Sequence, residues 1–171
     1  MSDINRYYGI YRGTVFNNVD PEQRGRIMAI CPDVGGLTPS TWAMPCVPIA
    51  GKQMGMFVAP QIGAGVWLQF EGGEPDHPVW VGGYWGSTAD VPVLALAGPP
   101  PDPNIVIQST LQHALIISDL PGPTGGIMLK STTGATIIVN DIGITIQNGK
   151  GASIIMTGPT VTINAGALVV T

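Results

Sequence analysis

The last 68 residues, Asn104 to Thr171, repeat one pattern: two apolar residues one position apart, then a glycine or small polar turn. The pairs are Ile105/Ile107, Leu115/Ile117, Ile127/Leu129, Ile137/Val139, Ile144/Ile146, Ile154/Met156, Val161/Ile163 and Leu168/Val170. Successive strand side chains point to opposite faces, so this spacing puts both members of a pair on one face. The pairs begin 7 to 12 residues apart, room for one short strand and one tight turn. Turns are written by Pro121-Gly122-Pro123, Gly125-Gly126, Thr133-Gly134, Asn148-Gly149-Lys150-Gly151 and Gly158-Pro159. The pattern predicts a ladder of eight short strands with one apolar face.

Residues 4–86 read differently. Tyr7 to Phe16 alternates, with Tyr8, Ile10, Arg12, Thr14 and Phe16 on one face and Tyr7, Tyr11 and Val15 on the other. A turn-rich loop from Asn17 to Gly25 leads to a return strand, Arg26 to Cys31, and another loop follows to Gly36. Pro45 and Pro48 predict an edge or irregular crossing over Trp42 to Ile49, because proline cannot donate to a sheet ladder. Further strands are expected at Met56 to Pro60, Val66 to Phe70 and Val79 to Gly82. Five or six short strands without helical periodicity suggest a small barrel of the OB type.

Every aromatic residue precedes Gly86, which marks a boundary. The expected organisation is a barrel over 1–86, a Pro-rich linker over 87–103 and a ladder over 104–171. Proline fixes φ, so Gly98-Pro99-Pro100-Pro101-Asp102-Pro103 is expected to be an extended, stiff spacer. The apolar run before it, Val91 to Ala97, needs cover and hints at packing on a neighbour.

The ladder does not close by itself. A three-sided solenoid of hexapeptide faces takes roughly eighteen residues per coil, and this repeat is about half of that. A flat meander of eight strands leaves one apolar face bare, which is unusual in a soluble monomer. Three copies, each supplying one wall of a prism with the apolar pairs along its axis, repair the defect. Gln108, Ser118, Thr136, Thr145, Ser153, Thr160 and Thr162 then face outward. Strands stacked at about 4.8 Å make a rod on the order of 40 Å long. The fold class expected is all-β: an OB-fold barrel, then an intertwined trimeric triangular β-helix.

Composition narrows the function. With 44% hydrophobic and 11% charged residues the chain is not of the disordered class. A net charge of −4 and seven scattered basic residues give no electrostatic footprint for nucleic acid. The N-terminus lacks the order of a secretory signal, so assembly in a cytoplasm is expected. Cys31 and Cys46 read as buried small hydrophobes rather than a disulfide. His77 lies in a Pro/Asp turn and His113 at the foot of the ladder, neither at metal-ligand spacing. Glu71, Glu74 and Asp76 read as a solvated hairpin tip, without a partner to tune a carboxyl. No nucleophile elbow or phosphate loop is present in the sequence. The expectation is no enzyme, no catalytic residue, no metal and no cofactor.

Two runs carry a resemblance. The first is Gly13-Thr14-Val15 through Asp20, Gly25-Arg26-Ile27 and Trp42-Ala43-Met44-Pro45; the second is Pro60 to Gly82, with Phe70, Gly73-Glu74-Pro75 and Pro78-Val79 at characteristic spacing. They resemble the OB domain of phage baseplate assembly protein V, the central-spike proteins and the VgrG proteins of type VI secretion. The ladder is similar to the trimeric β-helix of that family, including His113-Ala114-Leu115 and Gly143-Ile144-Thr145-Ile146. The resemblance implies a homotrimeric spike of a contractile tail or injection system, attached to a baseplate hub by its OB domain and driven through the target envelope. A spacer of this length leaves no room for the lysozyme domain some members insert. Members with their own metal-bound tip use His-x-His; here Ala167, Leu168, Val169, Val170 and Thr171 stand at that end, and the resemblance implies a separate PAAR-type tip protein bound there. A receptor-binding fibre and an OB-fold binder of single-stranded nucleic acid are the alternative readings. The first calls for an aromatic or charged distal end, the second for a basic barrel.

Overall fold

The computed structural model describes residues 5–170. The chain divides into two compact units, Met1–Asp90 and Val91–Thr171, each with its own sheet.

In the first unit, β1 (Tyr11–Asn17), β2 (Met28–Ile30) and β3 (Met44–Pro45) are followed by a small hairpin of β4 (Ala50–Gly51) and β5 (Met54–Gly55). Then come β6 (Gly65–Phe70) and β7 (Pro78–Tyr84), which complete a sheet of order β2-β1-β6-β7-β3. The ends of that order meet. Ile27 and Ala43 exchange two backbone hydrogen bonds, 3.2 Å and 2.7 Å, closing β3 onto β2. The ring β1-β2-β3-β7-β6, with β3 parallel to β7 and its other pairings antiparallel, is a closed OB-type barrel. Register irregularities at Val15/Asn17 and at Trp67/Leu68 supply the extra twist that closure needs.

Alternation decides what fills the barrel. Val66, Leu68 and Phe70 of β6 point inward with Val15, Ile27, Ala29, Cys31, Ala43 and Trp80. Tyr7, Tyr11 and Phe70 close one end, with ring centroids 5.7 to 6.1 Å apart. Trp80 satisfies its buried Nε1–H on the Gly25 carbonyl at 3.1 Å.

Four expectations change here. Residues 44–45 lie inside the ring rather than at an edge, because the strand is two residues long and its bonds are made beside the proline. Ala43 N–H donates to Ile27 and Cys46 N–H to Trp80, leaving Pro45 nothing to donate. Met56 to Pro60 is not a strand; the chain makes its pairing in the preceding hairpin. The segment after Cys31 holds one helical turn, α1 (Pro32–Gly35), with proline at the position where no N–H is needed. Cys46 is exposed, whereas Cys31 is buried, and both thiols are free.

The second unit starts with the spacer, which is folded rather than extended. A 3₁₀ turn spans Val93–Ala95, and Asp102 N–H bonds back to Pro99 at 3.0 Å. Prolines 92, 99 and 100 hold turn positions that fix φ equally well. The strands β8 (Ile105–Gln108), β9 (Ala114–Ser118), β10 (Gly126–Lys130), β11 (Thr136–Asn140), β12 (Gly143–Gln147), β13 (Ser153–Thr157), β14 (Thr160–Ile163) and β15 (Leu168–Val170) form one antiparallel meander. Gly143 must be glycine: its φ is +151°, and a Cβ would sit 1.9 Å from the Met156 carbonyl oxygen.

Candidate functional surface: two apolar columns and a supported barrel arm

The register of the meander turns the sequence pairs into continuous columns. One runs Ile105, Ile117, Ile127, Val139, Ile144, Met156, Val161. The other runs Ile107, Leu115, Leu129, Ile137, Ile146, Ile154, Ile163, Leu168, each residue directly opposite the next. No polar side chain interrupts either column. Most of these side chains are exposed in the single chain, Leu129 at 49% and Ile137 at 42%. A groove of ≈ 940 Å³ follows the second column, with His113 and Lys130 on its rim.

The opposite face holds Val106, Ile116, Met128 and Ile138, then Thr145, Ile155 and Thr162. Two residues expected to face outward, Ser118 and Thr136, are buried. Ser118 lies under the turn that folds back after it, where Leu120 N–H reaches its Oγ. Thr136 sits at the start of β11, opposite Lys130 and Gln147, and its buried Oγ1 finds no hydrogen-bond partner among the described residues. The face expected outward is thus the more buried one over β9 to β11, and the column face is the bare one. Full cover of one Leu or Ile contributes about 1.5–3 kcal/mol, so columns of this length represent a large driving force for association.

At the far end, Leu168 to Val170 form β15, in register with Ile163 to Val161 of β14. Ala167 and Leu168 are exposed. Thr171, the last of the residues expected to bind a tip protein, lies outside the described residues. Among the described residues no three His, Cys, Asp or Glu side chains converge into a metal-binding group.

The barrel presents a second apolar surface that pattern reading missed. Ile49, Met54, Met56, Phe57 and Val58 are all exposed around the β4–β5 hairpin. Lys52 is the only charge between Asp33 and Glu71, a stretch whose paucity of charge is the signal that could have found the surface. The arm rests on a rigid loop, with Phe57 against the Gly25 backbone. Asp20 holds that loop. Its carboxylate accepts from Arg26 Nε and Nη2 at 3.0 Å and 2.6 Å, and from the N–H groups of Glu22, Arg24 and Arg26. The guanidinium of Arg26, which also stands 5.5 Å over the Trp42 ring, holds the Asp20 carboxyl far below the ordinary carboxylate range, helped by those amides against burial.

A depressed folded-state pKa gives stability that is full above the unfolded value, about 3.9, and lost as pH falls through the folded one. Asp20→Asn should therefore lower the thermal midpoint at neutral pH and flatten its acid dependence below about pH 4. Melts from pH 2 to 7 check this; an unchanged slope would show that Asp20 is not the group responsible.

Two family models match the chain. A model described as the type VI secretion system/phage-baseplate injector OB domain covers residues 11–85. A second, the phage baseplate V C-terminal trimerisation domain, covers residues 104–169. The chain belongs to the phage baseplate V family. The barrel is thereby the injector OB domain, and the meander with its bare columns is the trimerisation domain. The family places the protein in the baseplate of a phage tail or tail-like particle, as a structural spike component that forms homotrimers. No curated protein matches the chain.

Proposed function

We propose that this baseplate protein is the central spike of a contractile tail or injection system, pushed through the target envelope when the sheath contracts. The observation that carries the reading is the pair of unbroken apolar columns. Three such faces turned inward make a dry axis, and within each chain every strand of the meander is hydrogen-bonded to its sequence neighbours. A rod built this way resists local opening, because every rung shares bonds with its neighbours. Its work is mechanical and involves no catalytic step.

The barrel carries the attachment. The charge-poor arm of Ile49, Met54, Met56 and Phe57 supports docking on a separate hub protein, as depletion of charge is typical of interface cores. The distal residues Ala167 to Thr171 take a PAAR-type tip protein, and assembly occurs in the bacterial cytoplasm.

A biotin-acceptor tag in the exposed Asn148–Gly151 loop tests this. Contraction on cells carrying the ligase in the periplasm should biotinylate the spike. Contracted particles with unmodified spikes would overturn the piercing role. Particles built with a chain ending at Ala167 should lack the tip protein; a normal content would remove that partner.

A further inference from the structure

We propose that the spacer residues Val93 to Leu96 close the basal end of the trimer's apolar axis, three copies of the turn meeting over Ile105 and Ile107. The inference rests on the three-wall reading of the shaft and adds a plug to its barrel-side end.

β8 is an edge strand, paired only with β9. Ile105 and Ile107 are accordingly 64% and 66% exposed, against 37% for Ile117 and 38% for Ile146 farther along the ladder. Side-by-side association of walls excludes water along the columns, but the end of the stack still opens to solvent at β8. Left open, that mouth is an exposed apolar patch of the kind that marks an interaction site.

The covering segment is already beside it. The Val93–Ala95 turn packs against β8. Asn104, the residue before the strand, donates its Nδ2–H to the Leu94 carbonyl at 2.8 Å. Between them the chain doubles back so tightly that a Cβ on Gly98 would lie 2.8 Å from both the Asn104 nitrogen and the Asp102 carbonyl oxygen. The turn is thus fixed to the first rung. Val93 and Leu96 remain exposed, and Val91 to Pro101 carries no charge. An apolar, uncharged turn tied to the most exposed rung of a three-fold stack has two identical neighbours at the same level. The three turns supply to one another the cover that each lacks alone.

Leu96→Cys in a full-length Cys46→Ser background tests the convergence, with Cys31 buried and unreactive. Mild oxidation should link two chains within the trimer, while Thr157→Cys on the outer face should give no link. In the second arm, Val93→Asp with Leu96→Asp should speed amide exchange at Ile105 to Gln108 by about tenfold and leave β12 to β14 unchanged. Leu96→Cys trimers whose chains stay unlinked, with β8 exchange unaltered in the aspartate variant, would overturn the plug alone. A wild-type chain that is monomeric in light scattering would remove the axis itself, and the spike reading with it.

Discussion

Replacing Leu129 and Ile137 together by aspartate is expected to abolish the trimer. The two residues face each other across β10 and β11, in the middle of the second column. Both are substantially exposed in one chain, so the single sheet tolerates the change. Within the trimer each carboxylate is repeated in all three copies and loses its water. Burying one unpaired charge costs several kcal/mol even after relaxation, and here like charges crowd one level of an apolar axis. Light scattering at micromolar concentration should report monomer or disordered aggregate. Thr157→Asp, on the opposite face and exposed, should stay trimeric. A trimer that survives the double substitution would mean that the columns are not its interface.

The second large effect belongs to the barrel. Leu68 is fully buried at its centre, with Cδ1 so close to Gly13 that a Cβ there would come within 2.8 Å. Leu68→Ala leaves a cavity that closed strands cannot collapse into, and the expected loss is about 2–5 kcal/mol. A built-in reporter makes this measurable. All four tryptophans lie before Gly86 and the second unit contains no aromatic residue, so intrinsic fluorescence follows the barrel alone. Urea titration should show an earlier fluorescence transition while light scattering still reports the trimer. Loss of both signals at one urea concentration would show instead that the two units unfold together.

The ladder was legible because its code is local and redundant. Each apolar pair names its own face, and each glycine turn returns the chain beside the strand it has just left. The same holds for β6 and β7, where Val66, Leu68 and Phe70 alternate cleanly and Pro78 opens the next strand. What stayed hidden depends on distant partners. Met44–Pro45 enters the ring only because Ile27 and Trp80 stand on either side of it, and proline signals in the sequence argue the opposite. Met56-Phe57-Val58 has the composition of a strand, but the pairing is made by the hairpin before it, and the segment stays exposed. The prolines of the spacer fix φ without deciding between an extended run and successive turns; Asn104 decides, through its bond to Leu94. Likewise, alternation identifies two faces of the ladder but not that Ser118 and Thr136 are buried on one of them.

The sequential pairing of the meander gives the shaft a direction of strength. A push along the stack presses rung onto rung, so the load itself holds each ladder of hydrogen bonds between β8 and β15 closed. A pull on the last strand meets only its bonds to β14, then those of β14 to β13, one seam after another. A rod built this way is strong in compression and yields like a zipper in tension, an asymmetry that suits the piercing role proposed above.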